Sequence, residues 1–342
     1  MKRQSFVRSI RGSADTLLKL AQTPVGLGGL GRIHLGTVLV LALGVAFPFL
    51  VGPFEVSLMV KFLVFAMFAL SLDLLWGYGG VLSLGHAGFF GLGAYSMALV
   101  LINFPGPGST LLGLLAAVLI PALLAAFLGY FLFYGRVGGM YFAVITLVVS
   151  IILNQMVITF IKYTGGLNGL YPIPRLAVRI PGLFDWEIAG EKTLYFSMLV
   201  ALVLFFVLCR WIVRSGFGRL IRSLKDNETR VEYFGYDLAK GKLVLFALCC
   251  GLAGLAGGLY APSIGFISPD LLGIAMTTEV IVWVAVGGKG TLTGAVLGAL
   301  LVNMIGFFLS GWLVSVWYLI MGAFLVAIVL FRPKGIMGYL GE

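Results

Sequence analysis

Charge is scarce in this sequence. Only 11% of its 342 residues are Asp, Glu, Lys or Arg, against roughly 25% in a soluble domain. So little charge cannot coat a water-facing surface, which excludes an ordinary soluble fold. Cysteine is nearly absent. Cys209, Cys249 and Cys250 lie in apolar runs without metal-ligand spacing and read as small hydrophobes. No nucleophile–base set and no metal cluster appears, so an enzyme has no chemical basis here. A phosphate-binding loop is missing too. "WVAVGGKGT" at 283–291 comes near, but the pattern needs glycine five residues before Gly288 and Ser or Thr after Lys289. The chain has Trp283 and Gly290 there. Nor does the start resemble a signal peptide, because the first apolar run begins only near His34.

What is present is apolar. Hydrophobic residues make up 61% of the chain, and the mean hydropathy is +1.09. A helix needs roughly 20 apolar residues to cross a bilayer. Spans are expected near 34–52, 56–76, 84–102, 111–133, 140–161, 193–213, 242–261, 276–289, 293–310 and 314–331. The third and eighth are the weakest. Net charge is +10, and the basic residues fall in three blocks: the N-terminal segment, Arg210 to Lys242, and Arg332 with Lys334. With ten crossings and a cytoplasmic N-terminus, all three blocks land in the cytoplasm, as the positive-inside rule requires. The expected fold is an all-α integral membrane protein of about ten transmembrane helices, both termini cytoplasmic. An inverted repeat of five-helix halves is a further expectation, hinted at by glycine-rich stretches in both halves. The organisation is then a basic cytoplasmic segment 1–33, a permease-like membrane domain 34–331 and a cytoplasmic tail 332–342. Residues 162–192 form an external loop and 214–241 a cytoplasmic one. Residues 5–21 read either as an amphipathic helix on membrane lipid or as a disordered basic tail. No interleaved basic and aromatic surface points to nucleic acid.

Glycine numbers 48, and much of it sits at helical spacing. Ser83, Ala87, Gly91, Ala94 and Ala98 make one smooth face. Ala247, Gly251, Gly254, Gly258 and Ala261 make a second, and Gly294 with Gly298 begins a third. Small residues let helix backbones approach where lipid supplies no hydrophobic drive. "WGYGG" at 76–80 and "VGGKG" at 286–290 crowd glycine differently. They read either as breaks in membrane helices beside a watery pathway or as plain cytoplasmic turns.

Few polar side chains interrupt the spans. His86 reads as a histidine bonded within a bundle, with a ligand or proton-carrying role as the alternative. Asp73 is expected to be partly solvated near the cytoplasm. Glu279 should face protein or water, since a charge at mid-membrane costs on the order of 3 kcal/mol. Asn154, Gln155 and Asn303 are further candidates for lining a pathway. In the cytoplasmic loop, Leu220, Leu224, Val231 and Phe234 can form the apolar ridge of one short helix ringed by charge, with Gly235 as its stop. Such a helix suits docking in a partner's groove; resting on anionic headgroups is the alternative.

Four motifs in order resemble the membrane permeases of branched-chain amino-acid ABC importers. They are "LSLDLLWGYGGVLSLGHAGFFGLGAYSMA" at 70–98, "TGGLNGL" at 164–170, "GFGRLIRSLKDNETRVEYFGYD" at 216–237 and "RPKGIMG" at 332–338. The resemblance spans roughly residues 36 to 340. It implies a permease half working with a second homologous permease, two ATP-binding cassette subunits and an extracytoplasmic solute-binding protein, in the inner membrane. ATP and Mg would be bound by the partner ATPases, with no cofactor in this chain. Carried over by residue, the ATPase-coupling element maps onto Gly218, Arg219, Arg222, Asp226, Glu228 and Gly235. Val231, Glu232, Tyr233 and Phe234 are bulkier than the small residues the family usually has there. "VWVAVGGKGTLTGAVLGALLVN" at 282–303 resembles the urea and short-amide branch, so the solute is either a branched-chain amino acid or a urea-like amide. The competing reading is an ATP-independent channel or secondary transporter for a small neutral solute. Ser83, His86, Gly91, Glu279 and Asn303 are the candidates for pathway or packing.

Overall fold

The structure, a computed structural model, describes residues 44–45, 47–106, 108–180, 184–187, 190–310, 322 and 335–338. The chain divides into two compact units, one ending at Val51 and the other starting at Gly52. In the first, residues 44–45 and 47–50 are helical. The N-terminal amphipathic segment, most of the first expected span and nearly all of the tenth lie outside the described residues.

The second unit is a helical bundle. Helix α1 (Pro53–Leu72) starts with proline in its first turn, where the missing N–H costs nothing. It runs on as a π-helical turn, Asp73–Tyr78. There follow α2 (His86–Asn103), α3 (Ser109–Tyr134), α4 (Gly139–Thr159) and the single turn α5 (Ile161–Thr164). A two-stranded antiparallel hairpin, β1 (Ala177–Ile180) with β2 (Phe184–Glu187), occupies the expected external loop. Helices α6 (Glu191–Arg214), α7 (Gly216–Asp226), α8 (Glu228–Tyr233) and α9 (Leu238–Ile264) come next. After a 3-10 turn at Pro269–Leu272 come α10 (Ile274–Gly287), α11 (Leu292–Ser310) and the short α12 (Gly335–Gly338). Among the described residues, seven helices are long and apolar enough to cross a membrane, and α10 is apolar but shorter. The chain is therefore a multi-span, helical integral membrane protein.

Burial separates the helices into centre and rim. The most apolar stretches of α1, α2 and α9 are 83%, 72% and 67% buried, those of α3 and α4 only 22%. On α3, Leu111, Leu115, Leu119, Leu123 and Phe127 recur every fourth residue and are exposed. That is the stripe a helix presents to an apolar medium. At the centre the smooth face of α9 meets α3. A side chain on Gly254 would overlap the Ala117 carbonyl and Pro121, and one on Gly258 would overlap Ala117. Helix α2 is crowded on several sides at once. Gly88 lies against Ser150 of α4, Gly91 against Leu272, and Gly93 against the Gly254 backbone. A face chosen by spacing alone covers only part of a helix buried all round.

The chain between α9 and α10 turns back into the bundle. Ser150 donates to the Leu272 carbonyl at 2.7 Å, and Asn154 to the Pro269 carbonyl at 2.6 Å. Irregular backbone at membrane depth needs such partners. Asn154, a pathway candidate by sequence, is thus tied to backbone, and Gln155 is exposed. The "TGGLNGL" stretch closes this end of the bundle. Its Gly165, Gly166 and Gly169 all take left-handed φ, from 59° to 73°. Leu170 exchanges backbone hydrogen bonds with Ile267 at 3.0 and 3.3 Å.

Candidate functional site

At the other end of the bundle the two glycine-crowded stretches meet. The first is more than a plain turn; the second is the turn that joins α10 to α11. The π-helical Asp73–Tyr78 widens the end of α1, and the Gly79 N–H reaches back five residues to the Leu74 carbonyl at 3.2 Å. A widened turn re-aims backbone groups and recurs at functional sites. The Oδ1 of Asp73 accepts from the Gly290 N–H at 2.7 Å, joining α1 to the α10–α11 turn. Gly77 permits this bond, because a side chain there would overlap both Asp73 Oδ1 and the Gly290 backbone. Asp73 was expected to be partly solvated; it is fully buried. The correction has a physical reason: the turn carrying Gly290 folds over it. Its Oδ2 has no partner among the described residues. Gly335 of the C-terminal motif, at φ 68°, presses onto the Gly288 backbone in the same place.

The segment expected as a cytoplasmic loop lies across this junction. Ser215 caps α7 by accepting from the Gly218 N–H at 3.2 Å. Gly218 is buried so closely that a side chain would overlap the Val213 carbonyl. Lys225 donates to the Gly77 carbonyl at 2.6 Å. Arg222 donates to the Val213 carbonyl at 2.8 Å and lies 5.6 Å from the Tyr78 ring. Lys289 covers the Trp76 ring at 5.2 Å. Helix α7 therefore holds α6, the widened end of α1 and, through Asp73, the α10–α11 turn.

The apolar ridge differs from expectation. One helix was expected, and two are found, because Asn227 leaves helical geometry and caps α8 by accepting from the Arg230 N–H at 2.9 Å. The buried residues are Ile221, Leu224 and Val231; Leu220 is half-buried and Phe234 is 71% exposed. A groove of about 560 Å3 runs between α7 and α8, lined among others by Phe217, Arg219, Asp226, Arg230 and Phe234. Beside it Tyr233 is 87% and Tyr236 58% exposed. Glu228 pairs with Lys242 at 2.7 Å, and Gly235 takes φ 81° with open space around it. Of the six residues expected to couple to an ATPase, Arg219 and Asp226 line the groove, Gly218 and Arg222 anchor α7, and Glu228 and Gly235 shape α8.

The remaining candidates lie elsewhere. Ser83 is buried, and its hydroxyl has no partner among the described residues. His86 stacks on Phe68 at 5.5 Å and bonds Ser71 at 3.0 Å. Ser71 spends its proton on the Phe68 carbonyl at 2.7 Å, so His86 Nε2 is the donor and its Nδ1 has no partner among the described residues. Asn303 donates to the Ala299 carbonyl of its own helix at 2.8 Å. Glu279 is half-buried on α10, one turn before Trp283, which stacks on Phe65 of α1 at 5.0 Å. Sequence reasoning missed Lys61 and Lys225. Lys61 carried a signal, being an ionisable residue inside an apolar run. Lys225 carried one too: it follows the buried Ile221 by one turn. Among the described residues no cluster of His, Cys, Asp or Glu is able to hold a metal ion.

Residues 54–329 match the family described as branched-chain amino acid transport system / permease component. The chain is 29% identical over 325 residues to the Escherichia coli K12 protein named high-affinity branched-chain amino acid transport system permease protein LivM, covering 88% of this chain and 74% of that one. The Salmonella typhimurium LT2 protein of the same name is 29% identical over 332 residues, covering 90% and 75%. A shorter likeness, 32% over 142 residues, reaches the D-allose transport system permease protein AlsC of E. coli K12, covering 39% and 42%. No solved structure matches.

Proposed function

The chain belongs to the branched-chain amino acid transport permease family, and on that premise we propose how it works within an ATP-driven importer. It is a multi-pass inner-membrane permease subunit of an ABC-type importer for branched-chain amino acids or a related small polar solute. It is not itself an enzyme.

In our reading, two such permease halves, this chain and a homologous partner, enclose the pathway. One ATPase subunit docks at the α7–α8 groove and a second at the corresponding loop of the partner permease, and a solute-binding protein delivers cargo at the hairpin end. Ten spans, cytoplasmic termini, inverted halves and the 1–33, 34–331 and 332–342 division complete the proposal. The observation that carries it is the Lys225–Gly77 bond beside the Asp73–Gly290 bond. A partner that grips the groove and shifts α7 must move the ends of α1 and α10, which are packed elements able to transmit displacement. The exposed Tyr233, Phe234 and Tyr236 suit burial under a partner, where aromatic residues are enriched.

The test is purification of the tagged chain from native membranes, followed by ATP hydrolysis and solute uptake in proteoliposomes. Co-purifying ATPases and hydrolysis stimulated by loaded binding protein are expected. Uptake that persists after the ATPase is inactivated would overturn the reading in favour of a channel or secondary transporter.

A further inference from the structure

The exposed stripe of α3 changes character towards its end at Tyr134. Leu111, Leu115, Leu119 and Leu123 give way to Phe127, Tyr130, Phe131 and Tyr134, all exposed. The rings gather: Tyr130 lies 5.0 Å from Tyr134 and 5.5 Å from Phe131. The 26 residues of α3 span about 39 Å. That exceeds a hydrocarbon core of about 30 Å, so the helix ends reach headgroup depth. Leucine followed by tyrosine on one face is the order in which acyl tails give way to headgroups. No polar residue interrupts the leucine part of the stripe, as one would at a contact glued by polar groups.

Charge completes this patch. Arg136, at the tip between α3 and α4, takes φ 55° and is exposed. Tyr134 donates to Asp237 Oδ2 at 3.5 Å, which brings the start of α9 beside the tip. Lys240, in the first turn of α9, is exposed too. Neither cation has an ion pair or a side-chain hydrogen bond among the described residues. Asp237 is already engaged by Tyr134 and by the Lys240 N–H. Two free cations therefore stand against one committed acid. The undescribed residues 311–334 are flanked by α11 and α12, which pack on α10, whereas α3 packs on α2 and α9.

We propose that the α3–α4 turn binds an anionic phospholipid, Arg136 taking its phosphate and the rings of Tyr130 and Tyr134 covering its glycerol. A guanidinium meets a phosphate through two parallel hydrogen bonds. Lys240 adds to the local positive potential. The free cations set the preference for net charge. Phosphatidylglycerol carries one negative charge, whereas phosphatidylcholine cancels the same phosphate with its own cation. With the α7 end cytoplasmic, as proposed above, the site faces the leaflet whose anionic lipids attract basic residues. Lipid binding itself does not depend on the importer reading.

The experiment uses the full chain with its co-purifying subunits, extracted from native membranes in mild detergent and stripped of lipid. It is titrated with dioleoylphosphatidylglycerol, or with dioleoylphosphatidylcholine as control. Retained lipid is counted by native mass spectrometry, and the unfolding temperature is read alongside. The wild type is expected to retain phosphatidylglycerol in preference and to unfold at a higher temperature with it. Arg136→Gln should bind it about fivefold more weakly and lose part of that rise. Arg136→Lys, which keeps the charge, should retain it. Should Arg136→Gln fail to fold, Lys240→Gln and Tyr130→Leu carry the test, each expected to weaken retention. Equal retention of the two lipids by the wild type overturns the proposal. Wild-type retention in Arg136→Gln, or in both Lys240→Gln and Tyr130→Leu, overturns it as well. Tyr130→Cys that crosslinks to another subunit in native membranes assigns the patch to a protein contact and overturns it too.

Discussion

A single added methyl group is enough to disturb the centre of this bundle. Lipid tails are as apolar as the helices, so close contact between backbones supplies much of the cohesion. A side chain on Gly257 would overlap the Phe90 carbonyl, and one on Gly254 would overlap the Ala117 carbonyl and Pro121. The obstructing atoms are backbone and a proline ring, which cannot swing aside. Gly254→Val is expected to destabilise by about 1–3 kcal/mol and to lower the unfolding temperature in detergent. Gly106→Ala, with nothing within 4 Å, should leave it unchanged. Equal unfolding temperatures for the two variants would show that α9 does not pack as described. The spacing of Gly251, Gly254 and Gly258 made this face legible in the sequence. Gly93 was not legible, since it lies off the face chosen for α2 and its partner Gly254 is 161 positions away.

At the scale of elements, α7 is where chemistry elsewhere can reach the membrane helices. Its amphipathic pattern was readable, and so was the stop at Gly235, which follows the end of α8. The break at Asn227 was not, because a polar residue in a charged helix reads equally as surface or as cap. The partner of Lys225 was also hidden: the Gly77 carbonyl becomes available only when the end of α1 widens into a π turn. Lys225→Met removes a charge-assisted hydrogen bond at a partly solvated site, worth on the order of 1 kcal/mol or somewhat more. Transport-coupled ATP hydrolysis should fall about fivefold or more, with the subunits still co-purifying. Hydrolysis that stays fully coupled to uptake would show that force does not pass through this bond.

At the scale of the whole molecule, direction alternates. Tyr134, ending α3, reaches Asp237 at the start of α9 at 3.5 Å, so both helices meet at the α7 end. The "TGGLNGL" stretch closes the opposite end against Ile267. With Cys209, Cys249 and Cys250 replaced, Tyr233→Cys and Leu167→Cys provide single probes at exposed positions of the two ends. An impermeant thiol reagent added outside intact cells should label position 167 and not 233, with the reverse in inside-out vesicles. Labelling of both positions from one side would overturn the proposed arrangement.

By itself the sequence determined the class of solvent, several of the helical spans and the short motifs. Each follows from composition or from periodicity within one element, which neighbours in the chain suffice to express. Only the tertiary structure decided which motifs meet. Asp73 and Gly290 are 217 residues apart, and Lys225 and Gly77 are 148 apart. No local pattern encodes such pairings. They arise when helices buried at the centre of the bundle are brought into register.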